Sequence, residues 1–491
     1  MLSEVDQNRR LLAAKTDSKR KSHLGQFLTP ASIATFMASL FEKTPESACR
    51  LLDPGAGIGS LSAAFLDRWL SGGLNFNSIV VTAYELDESL LKELERTFAL
   101  YDGKASLSTR VIGGDFIEEA VNWLQFKSGA YFTHAILNPP YKKINSDSRH
   151  RFLLRQVGIE TVNLYSAFVA LALALMAPGG QVVAIIPRSF CNGPYYRPFR
   201  KFILERAAIR RLHLFGSRSK AFKQDDVLQE NVIILLERGR MRDDVTVSTS
   251  MDDTFSDLVT YTHPYNRIVF PDDVESYIHV PASPDYNIIE MSPSIRYSLD
   301  DIGLSVSTGP VVDFRLKEYI RDMPEPGTVP LLYPGHFVGQ TIDWPKPGMK
   351  KPNAIHFNAN TKKWLYPTGF YCVVRRFSSK EEKRRILASI VEPEIFGDVQ
   401  MLGFENHLNV FHDHKQGIPR ALARGLAMFL NTTAVDKNFR RFSGHTQVNA
   451  ADLKLMKYPS REALIALGEW AMQRGGVTQA LIDEQLERLI A

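Results

Sequence analysis

The residues that are best suited to take part in a reaction are Asn138-Pro139-Pro140-Tyr141, which follow an apolar run at 134–137. Proline has no N–H to donate, so two consecutive prolines end a sheet ladder and the chain must turn. The turn presents a side-chain amide, backbone carbonyls and an aromatic ring where open α/β sheets bind ligands. A lone Asn-Pro is more often a simple turn, and the ligand-binding interpretation depends on three motifs upstream.

The first of these motifs is a glycine-rich turn that runs from Asp53 through Gly55 and Gly57 to Gly59. Glycines let the backbone approach a ligand closely and expose N–H groups at the start of a helix. Dinucleotide-binding folds use G-x-G-x-x-G, whereas Ser60 occupies the third glycine position here. This difference argues against a pyrophosphate and favours a ligand whose carboxylate and amino group lie near the loop.

The other two motifs end the second and third predicted strands. Glu85 ends the second strand, where a carboxylate can accept hydrogen bonds from both hydroxyls of a ribose. Asp87, two residues later, is typical of a helix N-cap. At the end of the third strand, Asp115 can accept from an exocyclic amine and Phe116 can stack on a purine. Contacts for a methionine-like tail, a ribose and an adenine together indicate S-adenosylmethionine.

Residues 24–236 resemble the DNA amino-methyltransferases of the TaqI-like adenine-specific class. In that class a Thr-Pro motif, the glycine loop, the acidic strand end, the Asp-Phe loop and Asn-Pro-Pro-Tyr occur in this order, before a C-terminal target-recognition domain. All these motifs are present here, beginning with Thr29-Pro30. The resemblance implies that S-adenosylmethionine is held by Thr29, Asp53, Gly55, Gly57, Gly59, Glu85, Asp115 and Phe116.

The same resemblance implies a mechanism for Asn138-Pro139-Pro140-Tyr141. The adenine amino nitrogen is a poor nucleophile, because its lone pair is delocalised into the ring. The Asn138 side-chain oxygen and the Pro139 carbonyl can accept its two hydrogens and localise that lone pair, by electrostatic positioning. Tyr141 would stack on the flipped base, and Phe222 matches the second aromatic residue of the family.

Alternating strand and helix patterns from 50 to 236 predict the elements that position these residues. Repeated β-α-β units with apolar strands predict a parallel, doubly wound sheet in an α/β, Rossmann-like methyltransferase domain. Thr29 and Pro30 suit the N-cap and first turn of a helix that follows them. We expect a C-terminal target-recognition domain of mixed α+β structure.

Composition places the chain among ordinary globular proteins, with 44% hydrophobic and 23% charged residues in 491. The net charge of +5 is compatible with a polyanionic partner and does not by itself establish one. Three distant cysteines, Cys49, Cys191 and Cys372, support neither a disulfide framework nor a zinc site. No signal-peptide or membrane-spanning run is evident, so we expect a cytoplasmic protein.

Changes of composition predict four segments. Residues 1–23 form a basic lead-in, 24–240 the catalytic domain, 241–300 a boundary region and 301–491 the target-recognition domain. Basic and aromatic residues interleave between 344 and 376, which fits phosphate contacts or a solvated basic face. His407, His412 and His414 cluster, but their setting favours a structural or DNA-facing loop, and no metal site is predicted.

Two C-terminal stretches, 306–315 and 442–449, resemble the PstI/BsuBI-type subgroup of adenine methylases. Members of that subgroup modify the adenine of CTGCAG, which gives a resemblance-based expectation for the site. The polar residues at 444–447 and Asn449 either touch DNA or pack beside the catalytic domain.

Three functions remain in competition. The first is an adenine N6-methyltransferase of a restriction–modification system, which acts on double-stranded DNA. A separate endonuclease would cleave the same site, and we expect no stable complex between the two enzymes. The second is a methyltransferase for RNA or a protein glutamine, because such enzymes also use Asn-Pro-Pro-Tyr-like motifs. The third is a non-catalytic DNA-binding subunit or a fused nuclease. The large basic C-terminal half argues against the second, and intact Asn138 with an intact glycine loop argues against a non-catalytic subunit.

Overall fold

The computed structural model divides the chain into two compact units, Met1–Pro284 and Asp285–Ala491. This division falls inside the segment 241–300 that composition marked as a boundary. The structure describes residues 1–15, 28–104, 106–126, 132–216, 230–271, 273, 275–281, 289, 292–339, 341–378, 382–442, 447–474 and 476–490.

A mixed sheet forms the centre of the N-terminal unit, with the strand order β3-β2-β1-β4-β5-β7-β6-β8-β9. The order reverses between β1 and β4, which is the switch point where open α/β sheets bind ligands. The strands are β1 (Ala48–Pro54), β2 (Ser78–Glu85), β3 (Leu107–Gly113), β4 (Phe132–Leu137), β5 (Met176–Pro187), β6 (Ala207–Phe215), β7 (Asn231–Arg238), β8 (Val245–Ser250) and β9 (Val259–His263).

The prediction of a parallel sheet is correct for β1 to β5 and wrong for two later strands. Strand β7 inserts between β5 and β6 and runs antiparallel to both, while β9 runs antiparallel to β8. Both faces of β7 are apolar, and such a strand can pair in either direction, so its sequence does not encode its orientation. The sheet also continues to His263, beyond residue 240, where composition placed the end of the catalytic domain.

Alternate strand residues point to opposite faces, so the sheet has a hydrophobic core on each side. In β1, Leu51 joins one core and Leu52 the other, and Ile136 and Leu137 divide in the same way in β4. The flanking helices are α1 (Leu2–Lys15), α2 (Ala31–Ser39), α3 (Ser60–Leu70), α4 (Glu88–Ala99), α5 (Phe116–Phe126), α6 (Arg149–Gln156), α7 (Leu164–Ala174), α8 (Arg197–Arg206) and α9 (Tyr265–Ile268).

The start of α2 differs from the prediction by one residue. Pro30, in an extended conformation, is the N-cap, and its carbonyl accepts the first helical hydrogen bond from the N–H of Ala34. The cap therefore uses no side chain, which leaves the Thr29 hydroxyl available for another contact. That contact is made with Asn138, in the candidate site.

The C-terminal unit is built from short strands followed by helices. Its strands form one sheet in the order β10-β20-β17-β18, a second in the order β11-β15-β12-β19-β16, and the pair β13-β14. They are β10 (Ser305–Thr308), β11 (Ile320–Arg321), β12 (Thr328–Leu332), β13 (Phe337–Val338), β14 (Thr341–Ile342), β15 (Ala354–His356), β16 (Leu365–Pro367), β17 (Tyr371–Arg375), β18 (Ala388–Val391), β19 (Met401–Phe404) and β20 (Leu408–His412).

Two glycines allow the C-terminal helices to pack closely. A Cβ on Gly425 would lie 1.7 Å from the carbonyl oxygen of Leu464, and one on Gly468 would lie 1.8 Å from that of Ala421. Only glycine permits such an approach of two helix backbones. The helices are α10 (Arg420–Leu430), α11 (Thr433–Phe442), α12 (Ala450–Leu455), α13 (Arg461–Met472) and α14 (Gln479–Ile490).

Cys49, Cys191 and Cys372 are buried free thiols. Burial is the main reason that the pKa of the Cys49 and Cys191 thiols is raised to about 12. Among the described residues, no helix combines the length and the apolar character that crossing a lipid bilayer requires.

Candidate active site

The glycine loop leaves β1 and turns sharply into α3. Gly55, Gly57 and Gly59 all have φ in the left-handed region, at 72°, 59° and 84°. Gly59 is the N-cap of α3, and a Cβ there would lie 2.8 Å from Leu94 Cδ1, so it is required for both conformation and space. The N–H groups of Gly55 and Ala56 donate to the Tyr84 carbonyl, which fixes the loop against the end of β2.

Glu85 connects the glycine loop to the end of β2. Its buried carboxylate accepts from the N–H of Gly57 at 2.8 Å and from the N–H of Asp87 at 2.8 Å. Burial raises the pKa of this carboxyl. Asp87 caps α4 by accepting from the N–H of Ser89 at 2.9 Å, which confirms the predicted N-cap.

Asp53 lies beneath the loop at the end of β1 and is fully buried. The hydroxyl of Ser62, in α3, donates to its Oδ2 at 2.6 Å, whereas its Oδ1 has no hydrogen-bond partner within the described parts of the chain. Burial is the main reason that the pKa of this carboxyl is raised to about 7. A buried acceptor without a donor, directly beneath the glycine loop, fits a ligand that carries an ammonium group.

Asp115 ends the loop after β3 and caps α5 through the N–H of Ile117 at 2.8 Å. His150, in α6, donates from Nε2 to Asp115 Oδ2 at 2.6 Å. Burial raises the pKa of Asp115, but the hydrogen bond and charge of His150 together with the N–H groups of Ile117 and Glu118 outweigh it, so the net pKa is lowered. The same hydrogen bond raises the pKa of His150.

Asp115, Glu118 and His150 are also the one set of side chains with metal-ligand spacing among the described residues. The His150–Asp115 hydrogen bond accounts for this grouping without an ion. The three C-terminal histidines have separate partners, since His407 contacts Glu405, His412 contacts Ser307 and His414 contacts Asp413.

Phe116 follows Asp115, and its ring is buried against the rings of Tyr84 and Phe168, with centroids 5.3 and 5.1 Å away. Its stacking on a purine therefore stays a prediction. The loop after β3 lies beside the loop after β2, because the N–H of Gly114 donates to the Glu85 carbonyl at 3.2 Å.

Asn138 follows β4 directly and is held at both ends of its amide. Its Nδ2 donates to the Thr29 hydroxyl at 3.1 Å, and the Tyr141 hydroxyl donates to its Oδ1 at 3.2 Å. The Tyr141 hydroxyl also lies 3.2 Å from the Ile185 carbonyl of β5. Asn138 is half-buried and Pro139 is buried. The amide oxygen and the Pro139 carbonyl thus sit at the switch-point end of β4.

Aromatic rings surround Tyr141 on the side of α7. The Tyr165 ring meets it edge to face at 6.1 Å, and the Tyr196 ring lies 5.7 Å beyond. Asn163 Nδ2 donates to the Tyr196 hydroxyl at 2.5 Å. Burial raises the pKa of Tyr141, so its hydroxyl stays protonated and acts as a donor at neutral pH.

The sequence analysis missed three contacts at this site, those of His150, Tyr165 and Tyr196. Tyr165 lies in a stretch that predicts an apolar helix, and His150 lies in a basic stretch. Nothing in the sequence therefore indicates that either residue belongs to the site. The Tyr195-Tyr196 pair after Gly193 could have been noticed as an aromatic doublet behind a strand end. Phe222, the predicted second aromatic residue, lies outside the described residues.

The structure thus brings Thr29, Asn138 and Tyr141 into direct contact, and it joins the glycine loop to Glu85. Asp115 lies one loop further along the same sheet edge. These features on a Rossmann-like sheet define an S-adenosylmethionine-dependent methyltransferase. The Eco57I restriction-modification methylase family model matches residues 84–222.

Two relatives extend over nearly the whole chain. The type II methyltransferase M.BsuBI of Bacillus subtilis is 52% identical, over 100% of this chain and 98% of that protein. The type II methyltransferase M.PstI of Providencia stuartii is 40% identical, over 98% of this chain and 95% of that protein. The chain therefore belongs to the type II DNA methyltransferases of restriction–modification systems.

More distant similarities cover smaller parts or show the fold alone. The tRNA1(Val) (adenine(37)-N6)-methyltransferase of Shewanella sediminis is 25% identical over 34% of this chain and 64% of that protein. The solved structure of the DrdV–DNA complex is 12% identical, with a TM-score of 0.50 over 92% of this chain and 57% of that one.

Proposed function

We propose that the protein methylates the N6 amino group of an adenine in duplex DNA. The observation that carries the proposal is the Asn138 amide, fixed by Thr29 on one side and Tyr141 on the other at the end of β4. The fixed Asn138 oxygen, together with the Pro139 carbonyl, provides two acceptors for the two hydrogens of one amino group.

The chemistry follows from where these acceptors lie. When they accept the amino hydrogens outside the plane of the base, they localise the nitrogen lone pair and stabilise the positive charge that develops on it. S-adenosylmethionine supplies the methyl group: the new N6–carbon bond forms as the sulfur–carbon bond breaks, and one N6 proton leaves to solvent. Asn138 and Pro139 need no strong base for this role, since they orient the amine and neutralise charge.

The residues at the neighbouring strand ends fit the cofactor part by part. Glu85 offers its carboxylate to a ribose, and Asp115 offers its carboxylate to the adenine amine, with Phe116 beside it. The glycine loop, Asp53 and Thr29 lie on the side toward β1 and α2, which suits the methionine portion. These assignments rest on the order of the loops along one sheet edge.

A base within a duplex cannot reach a half-buried amide, so the target adenine must leave the helix. Tyr141 is in direct contact with Asn138, and we assign it the stacking role. We assign the C-terminal unit, Asp285–Ala491, to target recognition. A CTGCAG target and a separate cognate endonuclease without a stable complex are part of the same proposal, from the resemblance to the PstI/BsuBI subgroup.

An RNA substrate is the alternative that one comparison favours, because one relative is named as a tRNA adenine N6-methyltransferase. That similarity covers 34% of the chain, whereas the type II methyltransferases match its whole length, including the C-terminal unit. An enzyme of that RNA class would leave the C-terminal unit without a role. We therefore favour DNA.

The test is methyl transfer from labelled S-adenosylmethionine to unmethylated genomic DNA, followed by nucleoside analysis and mapping of the modified positions. We expect label in N6-methyladenine at one short motif, and CTGCAG would support the subgroup assignment. Label in another nucleoside would contradict the adenine assignment. No label in DNA, with transfer to total RNA or protein instead, would favour the alternative.

A further inference from the structure

Four separate segments of the C-terminal unit meet at one point. The N–H of Asn406 donates to the Val311 carbonyl at 2.9 Å, and the N–H of Arg376 donates to the His407 carbonyl at 2.8 Å. The N–H of Val448 then donates to the Arg376 carbonyl at 2.7 Å. We call the side chains that gather here the loop cluster: Asp313, Arg376, Phe377, Glu405, His407 and Gln447.

The two stretches at 306–315 and 442–449, which resemble the PstI/BsuBI subgroup, both contribute to the loop cluster. Gly309 explains part of the first stretch, because a Cβ there would lie 2.2 Å from the Glu405 carbonyl oxygen. Glycine is therefore required for β10 to pass this close to the end of β19. The second stretch contributes Gln447, next to Phe377 through a backbone bridge.

Arg376 fixes the orientation of Gln447. Its Nη1 donates to the Asn406 carbonyl at 3.2 Å, and its Nη2 donates to Gln447 Oε1 at 3.1 Å. Because Oε1 is held by the guanidinium, the amide NH₂ of Gln447 must face the other way. Gln447 Nε2 donates no hydrogen bond to any of the described residues. An oriented glutamine amide is a common reader of adenine in the major groove.

His407 is oriented by a buried acid in the same way. Its Nδ1 lies 2.6 and 2.7 Å from the two Glu405 oxygens, and its backbone N–H donates to the same carboxylate at 2.9 Å. The Glu405 side chain is fully buried, whereas 38% of the His407 side chain is exposed. Because the Glu405 carboxylate accepts from Nδ1, that nitrogen carries a proton, and Nε2 has no partner among the described residues.

An exposed aromatic ring completes the loop cluster. The Phe377 ring packs on the His407 ring with centroids 4.7 Å apart, and Phe377 is 43% exposed. Phe314, 63% exposed, follows Asp313 on the neighbouring segment. Exposed rings beside oriented polar groups can contact the methyl group of thymine or an unstacked base face.

The charges of the loop cluster argue against a role in binding phosphates. Lys351 Nζ lies 2.7 Å from Asp313, and its hydrogen bond holds the pKa of that carboxyl below its usual value. Arg376 and Glu405 add one positive and one negative charge to the same cluster. A surface that follows the DNA backbone needs cations that are not neutralised by acids. Oriented donors and acceptors with balanced charge suit base edges instead.

We propose that the loop cluster reads base edges of the recognition sequence, with Gln447 and His407 as the hydrogen-bonding readers and Phe377 as the apolar contact. Arg376 and Glu405 are positioning residues, which act by fixing the two readers. This inference rests on the proposed function, since it takes duplex DNA as the substrate.

The test measures methyl transfer by Gln447→Ala, His407→Ala and Phe377→Ala to a library of duplexes in which each position of the mapped site is substituted in turn. We expect Gln447→Ala and His407→Ala to lower transfer to the intact site about 10- to 100-fold and to relax the preference at one position each. Phe377→Ala should also relax the preference at one position, with a smaller loss of transfer to the intact site. The salt dependence of DNA affinity should keep the wild-type slope.

Phe357→Ala is the matched control, because Phe357 is 41% exposed in the same unit and, within the described part of the chain, makes no contact with the loop cluster. Its site preference should equal that of the wild type. Cofactor affinity and thermal unfolding of each variant establish that the fold is intact, and Gln447→Glu and His407→Gln provide milder changes at the same positions.

Other outcomes separate the two proposals. A loss of affinity that is uniform across all duplexes, with a salt slope reduced by about one, would make these residues phosphate contacts and overturn the inference. Unchanged preference in all three variants, with wild-type enzyme that methylates DNA, would overturn the inference alone. Wild-type enzyme that transfers no methyl group to DNA would overturn the proposed function, and the inference with it.

Discussion

The catalytic edge of the N-terminal unit and the loop cluster of the C-terminal unit hold their side chains in opposite ways. At the catalytic edge, Asp53, Glu85, Asp115 and Asn138 lie at or just beyond the ends of four different strands of one sheet. The sheet sets their spacing, and the carboxylates of Glu85 and Asp115 accept hydrogen bonds from nearby backbone N–H groups. In the loop cluster, segments distant in sequence meet, and the side chains fix one another.

The two ways of holding side chains suit two different tasks, catalysis and recognition of the target sequence. A sheet edge gives each side chain an independent position, so one residue can bind the cofactor while another orients the target amine. A network of mutually fixed side chains makes each reader depend on its neighbour, which favours discrimination between similar sequences. A change at the catalytic edge should therefore alter transfer equally at every site, whereas a change in the loop cluster should alter which site is chosen.

The largest expected effect is that of Asn138→Ala. This change removes one of the two acceptors for the target amine, and we expect kcat to fall by about 100- to 1000-fold, the range typical of one lost electrostatic contact. Cofactor affinity should stay close to that of the wild type, because Asn138 acts on the target. Single-turnover methylation and calorimetry with S-adenosylmethionine measure the two quantities.

The residual activity of Asn138→Ala should retain the wild-type site preference, which sharpens the comparison with Gln447→Ala. Thr29→Val serves as a second variant, since it removes the hydroxyl that holds the Asn138 amide and keeps the amide itself. We expect a smaller loss there. Turnover near the wild-type rate in Asn138→Ala would contradict the catalytic assignment.

Asp115→Ala should affect cofactor binding instead of transfer. It removes a carboxylate that we assign to the adenine amine, and a hydrogen bond to a charged group contributes about 1.5–3 kcal/mol, or roughly a 10- to 100-fold change in Kd. Glu118→Ala is the matched control, because Glu118 is a nearby carboxylate that pairs with Arg149. Equal affinity of Asp115→Ala and wild type by calorimetry would remove Asp115 from the cofactor site.

These contrasts also explain how much of the molecule the sequence could predict. The catalytic edge was accessible because strand, turn and helix start are encoded locally, so the positions of Glu85, Asp115 and Asn138 at strand ends follow from short motifs. The helix N-cap at Asp87 was accessible for the same reason. Family resemblance then supplied roles that spacing alone does not give.

What the sequence could not predict depends on contacts between distant segments. The antiparallel direction of β7 is set by its insertion between β5 and β6, and apolar residues on both its faces favour neither direction. The hydrogen bond of His150 to Asp115 joins residues 35 positions apart. The loop cluster joins segments from 306 to 449, so no local pattern reveals that Gln447 lies beside Arg376.

Tyr141→Phe should have a moderate effect on transfer. It removes the hydroxyl that donates to Asn138 Oδ1 and keeps the ring. Loss of one neutral hydrogen bond corresponds to about 1 kcal/mol, or roughly a fivefold lower kcat. A duplex with 2-aminopurine at the target should still give the fluorescence increase of a flipped base, because stacking is retained.

Tyr141→Ala distinguishes the two functions of this side chain, since it removes the ring as well. We expect weaker flipping and a larger loss of transfer, as base–aromatic stacking contributes about 1–3 kcal/mol. Fluorescence equal to that of the wild type in Tyr141→Ala would make Tyr141 a packing residue. Changed site preference in either variant would contradict the separation between the catalytic edge and the loop cluster.

The smallest effect is expected at His150, through the pH dependence of stability. The pKa of His150 is raised by Asp115, so the interaction stabilises the fold fully below the ordinary histidine pKa of 6.5 and is lost as pH rises through the raised value. The difference in unfolding free energy between wild type and His150→Gln should therefore be greatest below the ordinary histidine pKa and shrink as the pH rises above it. It starts from at most about 1 kcal/mol for this partly exposed pair.

Denaturant titrations at several pH values measure this difference, and Asp115→Asn supplies the control through a double-mutant cycle. In the Asp115→Asn background, His150→Gln should no longer change the pH dependence, because its charged partner is gone. An unchanged pH dependence in that background would assign the effect to another group facing His150, of which Glu118 and Arg149 are the nearest charged candidates. Because Asp115 is also assigned to the cofactor, repeating the titration with S-adenosylmethionine tests whether the ion pair persists when the proposed adenine contact forms.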